Sequence, residues 1–215
     1  MSIFKKITMK EQVYELIKER IFNQTYPLGG KINMLELSQE LGISSSPIRE
    51  ALSLLESERL ITFTPNAGPS VVKVDNEIFE EAKQTAIILL IGVYEQCLQQ
   101  NLIPQLISEM ENHLAYQKKL IHDQSPESNN QFARLSIEFD FSLIKVLKNK
   151  TLDHLYNWFF NIMLLVVLYN HQLYNPDREK NVAEHEAILD AIKNGDPNEV
   201  KKQFYIHYNR HIDSE

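Results

Sequence analysis

Residues 37–61, LSQELGISSSPIREALSLLESERLI, limit the folds open to this chain more than any other stretch. Leu37 and Leu41 lie four residues apart and form the apolar stripe of a short helix. Gly42 follows, where a helix can end in a left-handed conformation. Ser44 is placed to cap a second helix by accepting a hydrogen bond from a free backbone N–H, and Pro47 falls in the first turn, where its missing N–H costs nothing. The segment therefore predicts two helices joined by a tight turn.

The second of these helices has two contrasting faces. Its inward face has apolar residues at helical spacing, namely Ile48, Ala51, Leu52 and Leu55. Its outward face carries short polar side chains and one guanidinium, on Ser45, Ser46, Arg49 and Ser53. A helix with such a face can enter the major groove of DNA without steric obstruction. An ordinary helical hairpin with a solvated outer face is the alternative.

A predicted β-hairpin follows the two helices. Residues 60–64 and 70–74 are rich in β-forming side chains, and they flank the turn-forming sequence PNAGP at residues 65–69. Such a hairpin is typical of the wing in a winged helix-turn-helix. Its presence favours DNA binding over the plain helical hairpin.

Residues 10–75 resemble the DNA-binding domain of the GntR family of bacterial transcription regulators. The resemblance runs without gaps through residues 21–61. It follows the family's Pro-Gly-x-x-Leu and Leu-Gly-Val-Ser-Arg-x-Pro-Val-Arg-Glu-Ala-Leu patterns and the glycine of the wing. The matching residues are Gly29, Ile32, Leu41, Gly42, Ser44, Pro47, Arg49, Glu50, Ala51, Leu52 and Gly68.

The resemblance implies roles for individual residues and also shows departures. It implies that Arg49 contacts a phosphate or a base, that Ser45 and Ser46 head the recognition helix, and that Asn66 with Gly68 approaches the minor groove. Ser45 stands where the family usually has arginine, Ala67 where the wing tip is often basic, and Arg59 where glycine is common. The operator sequence is therefore expected to differ from the family's usual one.

Composition is typical of an intracellular protein. The single cysteine, Cys97, excludes a disulfide within the chain, and its apolar neighbours predict a buried structural thiol. The first residues contain no apolar run of the kind found in a signal peptide. The longest apolar stretch, residues 162–169, is shorter than the roughly 20 residues of a membrane helix. We expect a cytoplasmic protein with no membrane partner.

The net charge of −7 is unevenly distributed. Residues 1–75 contain nine basic and nine acidic side chains, whereas the remainder contains 13 basic and 20 acidic ones. Nucleic-acid binding is therefore expected from residues 1–75, and the modest number of bases favours a dimer that engages two half-sites.

Helical patterns replace the β signals beyond about residue 76. The expected helices cover residues 76–100, 103–122, 128–148, 151–174, 178–194 and 197–213, with breaks at proline, glycine and asparagine-rich stretches. The predicted architecture is mainly α, with a winged helix-turn-helix domain at 1–75 and an all-helical domain of six to seven helices at 76–215. A domain of this size can enclose a pocket for a small molecule and can also form the dimer.

Three ionisable residues fall on apolar faces of different predicted helices. Asp140 shares a face with Leu143, His185 with Ile188, and His207 with Phe204. Buried charges need partners or a metal, and two histidines with one carboxylate can bind a divalent cation while leaving positions open. Hydrogen-bonded histidines at the core or rim are the alternative.

The helical region resembles the effector domain of the FCD branch of GntR regulators. Residues 134–152 follow the branch's Leu-Asp-x-x-Phe-His-x-x-Leu pattern, and residues 184–196 follow its Glu-His-x-x-Ile-x-x-Ala-x-x-x-Gly-Asp pattern. The resemblance implies a divalent metal (Zn, Ni or Mn) beside a carboxylate effector. Ser136 replaces the branch's aspartate and Asp140 its first histidine, while His185 and His207 remain. The effector pocket is expected at Ser136, Asp140, His185 and His207, either with a metal on the last three or without metal.

Two classes of function follow from these patterns. The first is a homodimeric transcription regulator, a repressor by the family's default, whose binding to operator DNA responds to a small organic acid in the helical domain. The second is a metal-dependent enzyme that uses Asp140, His185 and His207. Against the enzyme, the chain contains no nucleophile elbow, phosphate loop or His-Glu-x-x-His motif, and the winged domain would have no purpose.

Overall fold

The computed structural model of the protein describes residues 8–123, 125–173 and 177–208. The chain divides into two structural units, Met1–Val74 and Asp75–Glu215. The first unit contains α1 (Met9–Phe22), α2 (Met34–Leu41), α3 (Ser45–Ser57), β1 (Ile61–Thr64) and β2 (Gly68–Val71). The second contains α4 (Asn76–Gln99), α5 (Ile103–Lys119), α6 (Pro126–Asp140), α7 (Ser142–Leu147), α8 (Lys150–Leu173), α9 (Arg178–Asn194) and α10 (Pro197–Tyr208). The predicted fold class, mainly α with a winged helix-turn-helix and a helical second domain, is confirmed.

The core of the first unit forms where α1 and α2 pack on α3. Its fully buried side chains include Ile17 from α1, Leu37 from α2, and Ile48 and Leu52 from α3. Thr8 and Glu11 cap the start of α1 reciprocally through their side chains. Gly42 ends α2 at φ 64°, as the sequence predicts. Local capping signals and apolar spacing thus agree with the tertiary packing in this unit.

The start of α3 differs from the prediction in one respect. Ser44 is the N-cap residue, but its side chain makes no capping hydrogen bond within the described part of the chain. A cap side chain usually accepts from the N–H of the second or third helical residue. Here the third residue is Pro47, which has no N–H to donate. Ser45 and Ser46 in the first turn of α3 are exposed, and their N–H groups receive no capping bond from the Ser44 side chain.

The wing is a two-stranded antiparallel sheet with a shorter turn than predicted. β2 begins at Gly68 rather than at residue 70, and Pro69 lies in the strand opposite Phe63. The loop is closed by a hydrogen bond of 3.1 Å from the Ala67 N–H to the Thr64 carbonyl oxygen. Proline can occupy this strand because its missing N–H is not required at the edge of a small sheet.

The predicted helix at 128–148 is two helices in the structure. The chain bends at Phe141, which has φ −89° and ψ 9°, so that α6 ends at Asp140 and α7 starts at Ser142. Phe141 is fully buried and packs against Tyr156 and Phe159 of α8. No glycine or proline marks this bend, which explains why the sequence pattern missed it. Of the other expected helices, residues 174 and 209–213 lie outside the described residues.

α8 is the most apolar helix of the second unit. By length and composition, its segment Lys150–Tyr169 could cross a membrane. The apolar stretch identified from the sequence, residues 162–169, was therefore too short. The core helix of a soluble protein meets the same criterion. α8 packs against α4, α6 and α7, with Phe159, Leu164 and Leu165 buried.

Two side chains with ionisable groups are buried in the second unit. Cys97 on α4 is buried as predicted, and burial raises the pKa of its thiol to about 11. Arg178, the first residue of α9, donates hydrogen bonds to the carbonyl oxygens of Leu120 and Asp123 and to the hydroxyl of Ser128. This guanidinium holds the start of α9 against the connection between α5 and α6.

Truncation of the α3 core should destabilise the first unit. Leu52→Ala removes a fully buried side chain and should lower the free energy of unfolding by about 2–5 kcal/mol, because it leaves a cavity. Leu54→Ala on the same helix removes a side chain that is 38% exposed and should cost less than about 1 kcal/mol. Urea denaturation followed by circular dichroism measures both. Equal losses for the two variants would contradict the described orientation of α3.

Candidate functional site

The outward face of α3 is a polar surface available to a partner. The inward residues of this helix are 0% exposed, whereas Ser45, Ser46, Arg49 and Ser53 are all exposed. Ser46 donates a hydrogen bond of 3.3 Å to Glu50 on the next turn. The structure therefore brings the predicted recognition residues onto one face and leaves the Arg49 guanidinium in solvent, where a phosphate or base can reach it.

The wing tip presents backbone and small side chains. Pro65 and Asn66 occupy the two central positions of the turn, and Asn66 has φ 64°, which is the pattern of a type II turn. Gly68 follows at φ 81°, a left-handed conformation in which any side chain would be strained. Asn66 is exposed and Gly68 half-buried. A tip of this shape can approach a groove closely, with no charged side chain at residues 65–68.

Asp140, His185 and His207 meet inside the second unit. They come from α6, α9 and α10 and are 2%, 0% and 8% exposed. The Asp140 Oδ1 atom lies 3.7 Å from His185 Nε2, and Asp140 Oδ2 lies 3.3 Å from His207 Nε2. One ligand atom from each residue lies within 4.8 Å of the other two. We name these residues the buried triad.

The Asp140 carboxylate is kept ionised by its neighbours. Burial by itself would raise its pKa, but the positive charge of His207 and His185 in their protonated forms, together with hydrogen bonds from His207 and Tyr208, outweighs burial and lowers it. The Tyr208 hydroxyl donates to Asp140 Oδ2 over 2.6 Å, and the pKa of this phenol is raised well above its usual value by burial and by the carboxylate. Asp140 is therefore an anionic group, and Tyr208 remains a protonated donor.

Both histidines of the buried triad are held from their far side. Glu184 Oε2 lies 2.8 Å from His207 Nδ1, and Gln117 Oε1 lies 2.8 Å from His185 Nδ1. The His185 ring also stacks on Phe139 at 4.1 Å between ring centroids. In each imidazole, a hydrogen bond therefore fixes the Nδ1 atom, and the Nε2 atom is directed towards Asp140.

Ser136, the fourth residue expected at the pocket, is buried one turn before Asp140 on α6. Its hydroxyl donates to Asn181 Oδ1 over 3.3 Å. Ser136 thus lies beside the buried triad with its hydroxyl directed to Asn181, although the family resemblance aligns it with a metal-binding aspartate.

Four residues of the site were not predicted from the sequence: Gln117, Asn181, Glu184 and Tyr208. A signal existed for Gln117, because it continues the inward stripe of Leu106, Met110 and Leu114 on α5 as the one polar member of that stripe. Helical spacing also carried a signal for the other three, because Asn181 lies four residues before His185, Glu184 directly precedes it, and Tyr208 lies four residues after Phe204.

The donors of the buried triad fit a divalent cation. Asp140 Oδ1 is buried and makes no hydrogen bond among the described residues, although a buried carboxylate oxygen normally has a partner. Two imidazole nitrogens and a carboxylate oxygen are ligands that Zn²⁺, Ni²⁺ and Mn²⁺ accept, and three ligands leave positions open for a further molecule.

Comparison with known proteins identifies relatives for both units. A family model described as "Bacterial regulatory proteins, gntR family" matches residues 9–71. The model of the FCD domain matches residues 97–210, which is more than half of the 215-residue chain. The "Uncharacterized HTH-type transcriptional regulator YdhC" of Bacillus subtilis is 28% identical, with 92% of this chain and 87% of that protein covered.

Two further comparisons agree with these matches. The "Uxu operon regulator" of Haemophilus influenzae is 24% identical, with 91% of this chain and 77% of that protein covered. The solved structure titled "E. coli McbR/YncC" superposes with a TM-score of 0.69 at 19% identity and covers 95% of both chains. This last likeness shows a shared fold.

These matches define a DNA-binding transcription regulator, and the alternative of a metal-dependent enzyme is therefore wrong. The chain belongs to the GntR family of bacterial transcription regulators, and its second domain is an FCD domain.

Removal of the Tyr208 hydroxyl should destabilise the buried triad. Tyr208→Phe deletes the hydrogen bond to the Asp140 carboxylate and should lower the free energy of unfolding by about 1.5–3 kcal/mol, because the acceptor is charged and buried. Tyr205→Phe on the same helix alters a residue that is 48% exposed. It should change the free energy of unfolding by less than about 0.5 kcal/mol. Chemical denaturation compares the two. A Tyr208→Phe protein as stable as Tyr205→Phe would refute the hydrogen bond's role.

Proposed function

We propose that this regulator binds operator DNA through α3 and the wing, and that a small organic acid in the FCD domain controls this binding. The observation that carries the ligand-binding part is the buried triad, in which the anionic Asp140 faces two histidines with Oδ1 making no hydrogen bond among the described residues. Burial of such a carboxylate is costly, and a site that leaves one of its oxygens available is suited to a ligand.

In the DNA-binding unit, the exposed face of α3 is the surface that enters the major groove. Arg49 makes the main charged contact with a phosphate or a guanine, and the small serines allow close approach of the helix to the base edges. The exposed N–H groups at the uncapped start of α3 suit a backbone phosphate. The full set of proposed DNA contacts is Ser44, Ser45, Ser46, Arg49, Ser53, Asn66 and Gly68.

The protein acts as a homodimer in the cytoplasm, where its DNA lies. A symmetric operator needs two recognition helices about one helical turn apart, and one unit with balanced charge gains affinity by pairing. Repression is the expected effect of operator binding, as is the default in the GntR family.

Asp140, His185 and His207 hold a divalent metal in the FCD domain, either zinc, nickel or manganese. A bound cation supplies a Lewis-acidic centre that attracts the carboxylate of an organic acid. Ser136 and the buried triad line the effector pocket. The ligand changes operator affinity only to the extent that it binds better to one arrangement of the paired DNA-binding units than to the other.

Loss of the Arg49 guanidinium should weaken operator binding. Arg49→Ala is expected to raise the Kd for the DNA upstream of the protein's own gene roughly 5- to 150-fold, which corresponds to about 1–3 kcal/mol for one specific contact. The slope of log K against log salt should also fall by about 1 if the contact is to a phosphate. Gel-shift titrations at several salt concentrations measure both quantities.

Arg59→Ala is the matched control, because it removes the same charge from the residue after the C-cap of α3. It should bind the operator like the wild type. Arg49→Ala binding as tightly as the wild type at moderate salt would overturn the proposed recognition surface.

Protein purified without chelator should contain metal in proportion to the chain. Elemental analysis is expected to find zinc, nickel or manganese, and addition of the ion to metal-free protein should raise the Tm, because the metal binds only the folded state. His185→Ala should lose both the metal and the stabilisation.

His154→Ala is the control, because His154 is exposed on α8. It should retain the metal at the wild-type level. If the purified protein contains no metal and added Zn²⁺, Ni²⁺ or Mn²⁺ does not stabilise it, the proposed metal site is wrong and the pocket is metal-free.

A further inference from the structure

A chain of neutral hydrogen-bonding groups leads to His185 from outside the buried triad. Gln117 on α5 is fully buried, and its Oε1 lies 2.8 Å from His185 Nδ1. Its Nε2 donates to Asn181 Oδ1 over 3.3 Å, and the Ser136 hydroxyl donates to the same Asn181 oxygen over 3.3 Å. We name Ser136, Asn181 and Gln117 the amide relay; it joins α5, α6 and α9.

The direction of these hydrogen bonds decides which nitrogen of His185 carries the proton. Asn181 Oδ1 can only accept, so Gln117 must present its NH₂ group to Asn181. The opposite side of the Gln117 amide is then its oxygen, which faces His185 and can also only accept. With the two amides in these orientations, the proton of a neutral His185 imidazole lies on Nδ1.

The consequence for the buried triad is direct. With the proton on Nδ1, the Nε2 atom carries a lone pair, and this atom lies 3.7 Å from Asp140 Oδ1. Reversal of both amides would place NH₂ against Nδ1 and move the imidazole proton to Nε2. A protonated Nε2 has no lone pair for a metal, although it could donate to Asp140.

We propose that Gln117 and Asn181 are positioning residues that fix His185 in the Nδ1–H tautomer and so prepare Nε2 to bind a cation. Ser136 anchors the far end of the amide relay by donating to Asn181. The inference rests on the proposed metal site for its purpose, but the tautomer itself is a property of the metal-free protein. It also gives Ser136 a role at a position where the family resemblance places a metal-binding aspartate.

The first measurement is the tautomer of His185 in the metal-free protein. Long-range ¹H–¹⁵N correlation spectra distinguish protonated from unprotonated ring nitrogens, and the spectrum of His185→Asn assigns the signals of this residue. The wild type should show the proton on Nδ1 at a pH where the ring is neutral. A proton on Nε2 would overturn the proposal, whether or not the protein binds metal.

The second measurement compares variants of Asn181. Asn181→Leu removes the acceptor that orients Gln117, so His185 should become a mixture of tautomers and the Kd for Zn²⁺ should rise about 10- to 100-fold. Asn181→Asp keeps an oxygen that accepts from both Gln117 and Ser136, so it should retain the Nδ1–H tautomer and at least the wild-type affinity. Asn112→Leu, at an exposed position of α5, should resemble the wild type.

These measurements test the amide relay and the metal site separately. Wild-type Zn²⁺ affinity and tautomer in Asn181→Leu would overturn the relay while leaving the metal site intact. The expected tautomers without any Zn²⁺ binding would support the relay and reject the metal.

If Asn181→Leu does not fold, Ser136→Ala provides a milder test, because it removes one of the two hydrogen bonds to Asn181 Oδ1. A partial loss of the Nδ1–H form is expected. An unchanged spectrum would count against the relay.

Discussion

The second domain depends on the burial of one carboxylate. Asp140 is 2% exposed, and an ionised carboxyl group without partners would cost several kcal/mol at such depth. Its partners come from two other helices, His185 on α9 and His207 and Tyr208 on α10. These contacts link α6 to α9 and α10, which otherwise pack mainly on each other and on α5 and α4. They also bring the three residues of the buried triad together at one place.

The two domains differ in where their helices place polar side chains. In the first, apolar side chains of α1, α2 and α3 supply the core, and the polar face of α3 remains exposed. The function of this domain depends on the polar side chains of α3 that remain exposed. In the second, polar groups are inside the core, and His185, His207 and Asp140 are each held by a hydrogen bond from or to a different helix. One chain thus combines an exposed polar helix face in its first unit with a buried group of ionisable side chains in its second.

Sequence reasoning succeeded where a local rule decides the structure. Helical spacing identified the inward residues of α3, and Gly42 marked the end of α2. It failed at two points. The bend at Phe141 follows from packing against the distant α8, whereas the missing capping bond of Ser44 has a local cause, because Pro47 at the third helical position has no N–H to donate. The second of these failures was readable in the sequence, since Pro47 was visible, whereas the first was not.

The sequence by itself determined the class of the protein and the three residues of the buried triad, because apolar periodicity and motif spacing are local properties of a helix. Only the tertiary structure decided how those residues are held. Gln117, Asn181, Glu184 and Tyr208 lie far apart along the chain or on faces whose direction depends on the packing of neighbouring helices. Hydrogen-bond direction and ionisation depend on distances between helices, and a one-dimensional pattern contains no such distances.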